Sequence, residues 1–218
     1  VTFLRLLLDE TRRLWRARRG APPLVARRPG SWHPADLAWA AALVREVSGD
    51  FAEIGVFRGD AFRVLAALAR AQGRLAHAFD SFRGMAAPQP EDGEHYPQGK
   101  FDIGGPENFV RLMDEAGLAR EAYRVWPGFV PECFREVAPH ARFALVLIDV
   151  DHYRPTAESI AWAVPRIPRG GILALDDYVR GHTGLATRAI EEFLRRDREF
   201  ERLAEFNQQL FLRRVRGA

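Results

Sequence analysis

Cysteine is almost absent from this chain: Cys133 is the only one among 218 residues. A single thiol excludes an internal disulfide and a cysteine-built zinc site, and it fits a reducing, cytoplasmic setting. Long apolar runs are missing too. Nothing approaches the roughly 20 residues needed to cross a bilayer, so no membrane partner is expected. The first residues lack a secretory pattern, because Arg5, Arg12 and Arg13 interrupt their apolar stretch. Charge of one sign is not in large excess, with 32 basic against 29 acidic residues and a net +3. No recognition module accompanies that small surplus, so a nucleic-acid partner is not expected. Internal repeats, low-complexity tracts and the dinucleotide fingerprint G-x-G-x-x-G are also lacking.

What is present is a globular composition, 47% hydrophobic and 28% charged, at a length that suits one well-filled core. The first nineteen residues read as an amphipathic helix, with Phe3, Leu4, Leu7, Leu8 and Trp15 on one broad face. That face is expected to pack on the body of the protein or on a second copy, giving a homo-oligomer; a membrane surface or an anionic partner is the alternative. A Pro/Gly/Arg linker runs from Gly20 to Pro34, and Asp36–Val47 reads as a helix. Residues 1–48 thus form a helical extension, expected to touch substrate or a second copy, and 49–218 the main domain.

From Phe51 onward, strands alternate with helices. Strands are expected at Phe51–Val56, Leu75–Phe79, Tyr123–Trp126, Phe143–Ile148 and Gly171–Leu175, and Phe200–Leu203 with Gln209–Arg213 as a terminal antiparallel pair. Helices are expected at Ala61–Ala71, Glu107–Ala116, Glu132–Val137, Thr156–Val164 and Thr187–Arg196. This is an α/β chain with a doubly wound, mostly parallel, seven-stranded sheet and helices on both faces. Residues 83–105 form a long loop rich in Gly, Pro and charge, the kind that serves as a lid.

In such a sheet, ligands sit beyond the carboxyl ends of the strands. The first strand runs into Glu53-Ile54-Gly55-Val56-Phe57-Arg58-Gly59, where glycines let backbone amides approach a ligand; a tight turn alone would look the same. The second ends in Asp80-Ser81-Phe82, with an acid placed to accept from ribose hydroxyls. Together Glu53 and Asp80 favour a nucleoside cofactor.

Asp149 and Asp151 follow the most apolar strand and face the same way if strand geometry persists. Asp176 and Asp177 end the next strand. Four carboxylates on one rim repel each other, and a hard cation, Mg²⁺ first, relieves that repulsion. Helix capping is the plainer reading of each aspartate alone. His95, His140 and His182 are scattered and read as surface or loop residues, whereas His152 adjoins the aspartates and could contact substrate. Cys133 reads as a small packed residue. Trp126 and Phe129 fit either an adenine pocket or the core.

The ordered set Glu53-Ile54-Gly55-Val56, Phe79-Asp80-Ser81-Phe82, Trp126-Pro127-Gly128-Phe129, Ile148-Asp149-Val150-Asp151 with Tyr153, Gly170-Gly171 and Asp176-Asp177-Tyr178 resembles the macrocin O-methyltransferase (TylF-type) family. The resemblance covers residues 51 to 195. It implies the class I, Rossmann-like methyltransferase sheet with a reversed final strand, S-adenosyl-L-methionine as cofactor, and magnesium-dependent O-methylation of a small hydroxylated acceptor, mostly sugars or phenols of natural products. It implies Asp149, Asp176 and Asp177 as metal ligands and Asp151 as general base. Glu53, Gly55, Val56, Phe57, Arg58, Gly59, Asp80, Ser81, Phe82 and Asp149 would hold the cofactor, with Gly128 and Phe129 near the adenine. The chain departs from the family at His152 and Arg154, in the loop Arg83–Pro88, and in its Arg-rich N-terminal region. A phenol or catechol methyltransferase using the same metal site, and a non-catalytic cofactor-binding scaffold, are the alternatives; the scaffold has no need of four clustered aspartates.

Overall fold

The structure, a computed structural model, describes residues 32–92, 96–181 and 185–217. The helix expected over residues 1–19, most of the linker, and His95 and His182 lie outside these residues.

The core strand is Phe143–Ile148 (β4), six residues with no exposed side chain. A strand apolar on both faces must be covered on both, and here it is. Leu145 and Leu147 point into one apolar layer, Val146 and Ile148 into the other. Beside β4 lie Asp50–Ile54 (β1) and Ile172–Leu175 (β5); Ala76–Asp80 (β2) and Tyr123–Pro127 (β3) extend the β1 side. These five strands pair in parallel. Phe200–Phe206 (β6) and Gln209–Arg214 (β7) form a hairpin whose second strand inserts between β5 and β6, giving the order β3-β2-β1-β4-β5-β7-β6. Strand β7 runs antiparallel to both neighbours.

Helices Pro34–Leu43 (α1), Asp60–Ala71 (α2) and Pro106–Glu115 (α3) cover one face; Tyr153–Ala163 (α4) and Leu185–Arg196 (α5) cover the other. Helix α1 begins well, with the His33 side chain accepting from Ala35 N–H and Pro34 in the first turn. It ends at Leu43, four residues before the end expected at Val47. Arg74 explains the early stop: its guanidinium donates to the carbonyls of Val44, Arg45 and Gly49 at 3.2, 2.7 and 2.6 Å. Those carbonyls are capped from another element, and the chain can leave the helix there. The helix expected at Glu132–Val137 is only a 3₁₀ turn, Glu132–Phe134, and Phe134 stacks on Trp162 with ring centroids 4.3 Å apart. Packing of that ring overrides the local propensity.

The chain crosses from one side of β1 to the other after β3, so the sheet switches direction between β1 and β4, and the crevice beyond their carboxyl ends is where ligands bind in this architecture. Among the described residues, no helix is long and apolar enough to cross a membrane.

Candidate active site

A cavity of about 530 Å³ opens at that switch point. Gly55 shapes its floor. Its φ is +88°, and a Cβ there would lie 1.7 Å from the Asp149 carbonyl oxygen. Only glycine lets the β1 turn pass this close to β4.

Asp80 locks the same turn. One carboxylate oxygen accepts from Val56 and Phe57 N–H at 2.8 and 2.9 Å, and the other from Phe82 N–H at 2.7 Å. Burial raises its pKa, and these three amides pull it back toward the ionised form. Part of its accepting capacity is thus used within the protein, and the lone pairs left over face the cavity. Glu53 differs. It is 2% exposed and its Oε2 has no partner. Burial first, then Asp80 and Asp176, push its pKa well above the usual carboxylate range. A buried orphan carboxylate is costly unless a ligand completes it.

The residues expected at the cofactor site largely converge. Glu53, Gly55, Val56, Phe57, Arg58, Asp80, Ser81, Gly128, Phe129 and Asp149 all line the cavity. Two do not. Gly59 caps α2, and its missing side chain makes room for Met113 and Phe109, which a Cβ would meet at 2.5 and 2.8 Å. Phe82 is 1% exposed and packs on Phe109; only its N–H serves the site, through Asp80. The Ser81 hydroxyl donates to Gly84 carbonyl at 2.7 Å and accepts from Arg83 N–H, which ties down the start of the lid loop. Trp126 is half-buried and stacks on His77 and Phe79 against the core, whereas Phe129 is 44% exposed at the cavity wall. Cys133 is buried, and its thiol is pushed up to about 12 by that burial.

The four aspartates meet on the rim, though not by continued strand geometry. Strand β4 stops at Ile148, and Asp151 takes a left-handed conformation at φ +59°; Asp177, after β5, does the same at φ +55°. The bends turn Asp151 and Asp177 toward Asp149, and the ligand atoms of these three lie within 4.8 Å of one another. Asp176 sits beside them, 4% exposed, with Oδ1 unpartnered. Left-handed non-glycine residues store strain that the surrounding fold must hold, and they cluster at functional sites. Burial first, then the neighbouring Asp177 carboxylate, raises both Asp151 and Asp176 to about 7. Asp149 is raised well above its usual range by burial, Asp176 and Asp151, in that order.

Several site residues carried no signal in the sequence. The indole Nε1 of Trp32, expected to lie in the linker, donates to Asp149 Oδ2 at 3.1 Å across 117 residues of chain. From the lid loop, Tyr96 and Phe101 line the cavity. The pKa of Tyr96 is raised by burial first, then by the Asp151 and Asp177 carboxylates. Lys100 lies 4.2 Å above the Tyr96 ring and stabilises ionised Asp151. Asp92, also from the loop, accepts from Tyr153 N–H at 2.8 Å. His152, flagged by its position, lines the cavity.

An open α/β sheet with a glycine turn after β1, an acid closing β2, a cavity at the switch point and an antiparallel β7 between β5 and β6 is the class I, Rossmann-like methyltransferase architecture. The chain belongs to the macrocin-O-methyltransferase (TylF) family, whose profile it matches over residues 35–208. It is 32% identical over 143 residues to the 8-demethyl-8-(2,3-dimethoxy-alpha-L-rhamnosyl)-tetracenomycin-C 4'-O-methyltransferase of Streptomyces olivaceus, a match covering 61% of this chain and 54% of that protein. The match therefore spans about half the length of that relative. The fold is similar to that of the O-methyltransferase NovP, with a TM-score of 0.69 at 22% identity over 99% of both chains. It is also similar to an O-methyltransferase from Bacillus cereus in complex with SAH, with a TM-score of 0.61 at 14% identity, covering 96% of this chain and 90% of that one.

Proposed function

We propose that this protein is an S-adenosylmethionine-dependent O-methyltransferase that uses a divalent cation, Mg²⁺ first, and acts on a hydroxyl of a small natural-product acceptor, a sugar hydroxyl before a phenol. The observation that carries the reading is the cluster Asp149, Asp151 and Asp177, within 4.8 Å, on the rim of the same cavity that holds Glu53 and Asp80. The family supports transfer of a methyl group, and the relative from Streptomyces olivaceus carries a rhamnosyl acceptor in its name.

The donor set fits both groups. Oxygen ligands in a tight cluster suit a hard cation, and the orphan atoms Asp176 Oδ1 and Glu53 Oε2 are unfinished without ligands. Glu53 and the free lone pairs of Asp80 would hold the polar parts of the cofactor, while Gly128 and Phe129 would flank its base. Asp149 and Asp177 of that cluster, with the neighbouring Asp176 and its unpartnered Oδ1, would hold the cation, leaving Asp151 of the cluster for the proton, and the Trp32 indole would fix the orientation of Asp149. When bound, the cofactor supplies an electrophilic methyl sulfonium, and the cation neutralises the carboxylates and acidifies the acceptor hydroxyl. Asp151 then accepts the proton from the acceptor hydroxyl at a carboxylate oxygen. Without the cation, burial and the neighbouring Asp177 and Asp176 carboxylates raise Asp151 to about 7. Tyr96 and Phe101 line this side of the cavity.

The test separates the aspartates. Asp151→Asn keeps the shape but cannot take the proton, so turnover at saturating Mg²⁺ should fall by roughly 10²–10⁴-fold, with smaller changes in Mg²⁺ and S-adenosylhomocysteine affinity. Asp149→Asn and Asp177→Asn should weaken Mg²⁺ binding most. An Asp151→Asn protein that loses its metal yet turns over at high Mg²⁺ makes Asp151 a ligand. Wild-type turnover that survives a chelator removes the metal from the mechanism.

A further inference from the structure

His77 is a buried titratable side chain that the methyl-transfer chemistry leaves unused. It is 8% exposed and lies on β2 among the rings of Phe79, Trp126 and Phe143. A polar ring in an apolar layer costs free energy unless its nitrogens are satisfied. Both are. Nε2 lies 3.1 Å from Asp50 Oδ2, and the Trp126 indole Nε1 donates to Nδ1 at 3.0 Å.

These bonds fix the state of the ring. An indole N–H can only donate, so Nδ1 is the acceptor and the proton sits on Nε2, where it donates to Asp50. Asp50 is ready to receive it. Burial would raise its carboxyl, but the His77 bond and the Leu75 N–H outweigh burial and hold it below its usual range. The chain Asp50–His77–Trp126 therefore ties the neighbouring strands β1, β2 and β3 together through side chains.

The far end of that chain reaches toward the cavity. Among the described strands, β3 is an edge, paired with β2 alone. Trp126 stands opposite Phe79 in the register, and its indole reaches back along β2 to His77. The next residue, Pro127, has no N–H to give to the ladder. Just beyond it, Gly128 N–H donates to the Asp80 carbonyl at 2.9 Å, and Gly128 and Phe129 form part of the cavity wall. Neither His77 nor Trp126 lines the cavity. Their influence on it passes through the end of β3 and through Phe79, which stacks on Trp126 and does line it.

We propose that His77 is a positioning residue for the cofactor. By holding the Trp126 indole it fixes the end of β3, and with it Gly128 and Phe129 against the cofactor's base. This rests on the reading above that these two residues flank that base.

The experiment uses the full chain and calorimetric titration with S-adenosylhomocysteine, with circular dichroism to confirm the fold of each variant. His77→Phe keeps a ring in the stack and removes the acceptor. The dissociation constant should rise about 3–10-fold, the worth of one net hydrogen bond. His77→Gln can accept from the indole and donate to Asp50, so it should recover most of that loss. A merely space-filling role would make His77→Phe the milder change. In a Trp126→Phe background, His77→Phe should add little, because the link is already cut. In wild type labelled with ¹⁵N-tryptophan, the indole N–H resonance of Trp126, assigned from its loss in Trp126→Phe, should shift when S-adenosylhomocysteine binds. A folded His77→Phe protein with wild-type affinity, His77→Gln no better than His77→Phe, or fully additive losses overturn the proposal. If His77→Phe does not fold, the wild-type resonance decides, and one that stays put at saturation overturns it. Phe129→Ala separates this inference from the reading it rests on. If Phe129→Ala binds as wild type does, the placing of the base fails and this inference with it. If Phe129→Ala weakens binding and folded His77→Phe does not, this inference alone falls. A wild type that binds no S-adenosylhomocysteine overturns both.

Discussion

Trp32 shows how one side chain can serve two masters at residue scale. Its ring packs edge-on against Phe211 with centroids 5.9 Å apart, and its Nε1 donates to Asp149. Trp32→Phe keeps most of the ring and removes only the donor. The loss of this hydrogen bond should cost about 0.5–1.5 kcal/mol, visible as a shift of the denaturant midpoint. Mg²⁺ affinity should fall by roughly 10–100-fold, the usual effect of losing a partner that orients a metal-binding carboxylate. Unchanged Mg²⁺ affinity in a folded Trp32→Phe protein would show that the indole only packs. The four aspartates were legible in the sequence because they close two consecutive strand-like runs. Trp32 was not: 117 residues separate donor from acceptor, and an isolated tryptophan in a Pro/Gly/Arg stretch carries no periodicity or spacing. Asp92 was hidden for the same reason, as a cap donated across 61 residues to a helix that is not its own.

At the scale of elements, apolar runs were the most legible. Strand β4 has the bounds expected of it, because a six-residue apolar run flanked by polar residues admits little choice. Ends decided by distant side chains were less legible, and helix α1 is the clearest case. Its stop at Leu43 depends on Arg74, which begins no motif and lies beyond α2. Arg74→Ala leaves the carbonyls of Val44, Arg45 and Gly49 without this partner and removes a cation from the Phe51 ring, 5.5 Å away. We expect a loss of roughly 2–3 kcal/mol in unfolding free energy, since several side-chain bonds go together. Arg74→Lys should recover only a minor part, because an ammonium lacks the planar fork that reaches several carbonyls at once. Recovery of full stability by lysine would show that charge rather than geometry matters here. The Asp151 bend belongs to this scale too. The sequence placed the two aspartates on one face by strand alternation; they meet instead because the strand has ended and the chain turns left-handed.

For the whole molecule, the carboxylate cluster links stability to pH. Asp149, Asp151 and Asp176 have raised pKa values, the last two about 7, with burial as the leading cause. The unfolded chain ionises such groups near pH 4. Between about pH 4 and pH 7 the folded state therefore holds protons that the unfolded state has released. Stability from these groups is full below that window, is lost as pH rises through it, and stays lost above it. In a chelator, the thermal midpoint should be lower at pH 8 than at pH 5.5, and Mg²⁺ should recover more of it at pH 8 than at pH 5.5. Scanning calorimetry in both buffers checks this. A midpoint that rises from pH 5.5 to pH 8 in chelator would contradict the assignment of these shifts.

Strand β7 comes last in the sheet's chain order and yet lies inside it. As the chain leaves the ribosome, β1 to β5 can pair with one another, but the outer edge of β5 stays bare until Gln209–Arg214 emerge. The turn after β5 waits as well, because Tyr178 N–H donates to the Gln208 carbonyl at 2.8 Å. A nascent chain at that stage presents an open strand edge, Ile172–Leu175, that is fully apolar and a template for pairing with other chains. Asp176 and Asp177 gain their fixed surroundings only when the hairpin inserts. Translation therefore finishes the Glu53–Asp80 side of the cavity first and the side of Asp176 and Asp177 last, and any pause before residue 209 exposes the sheet where it is most adhesive.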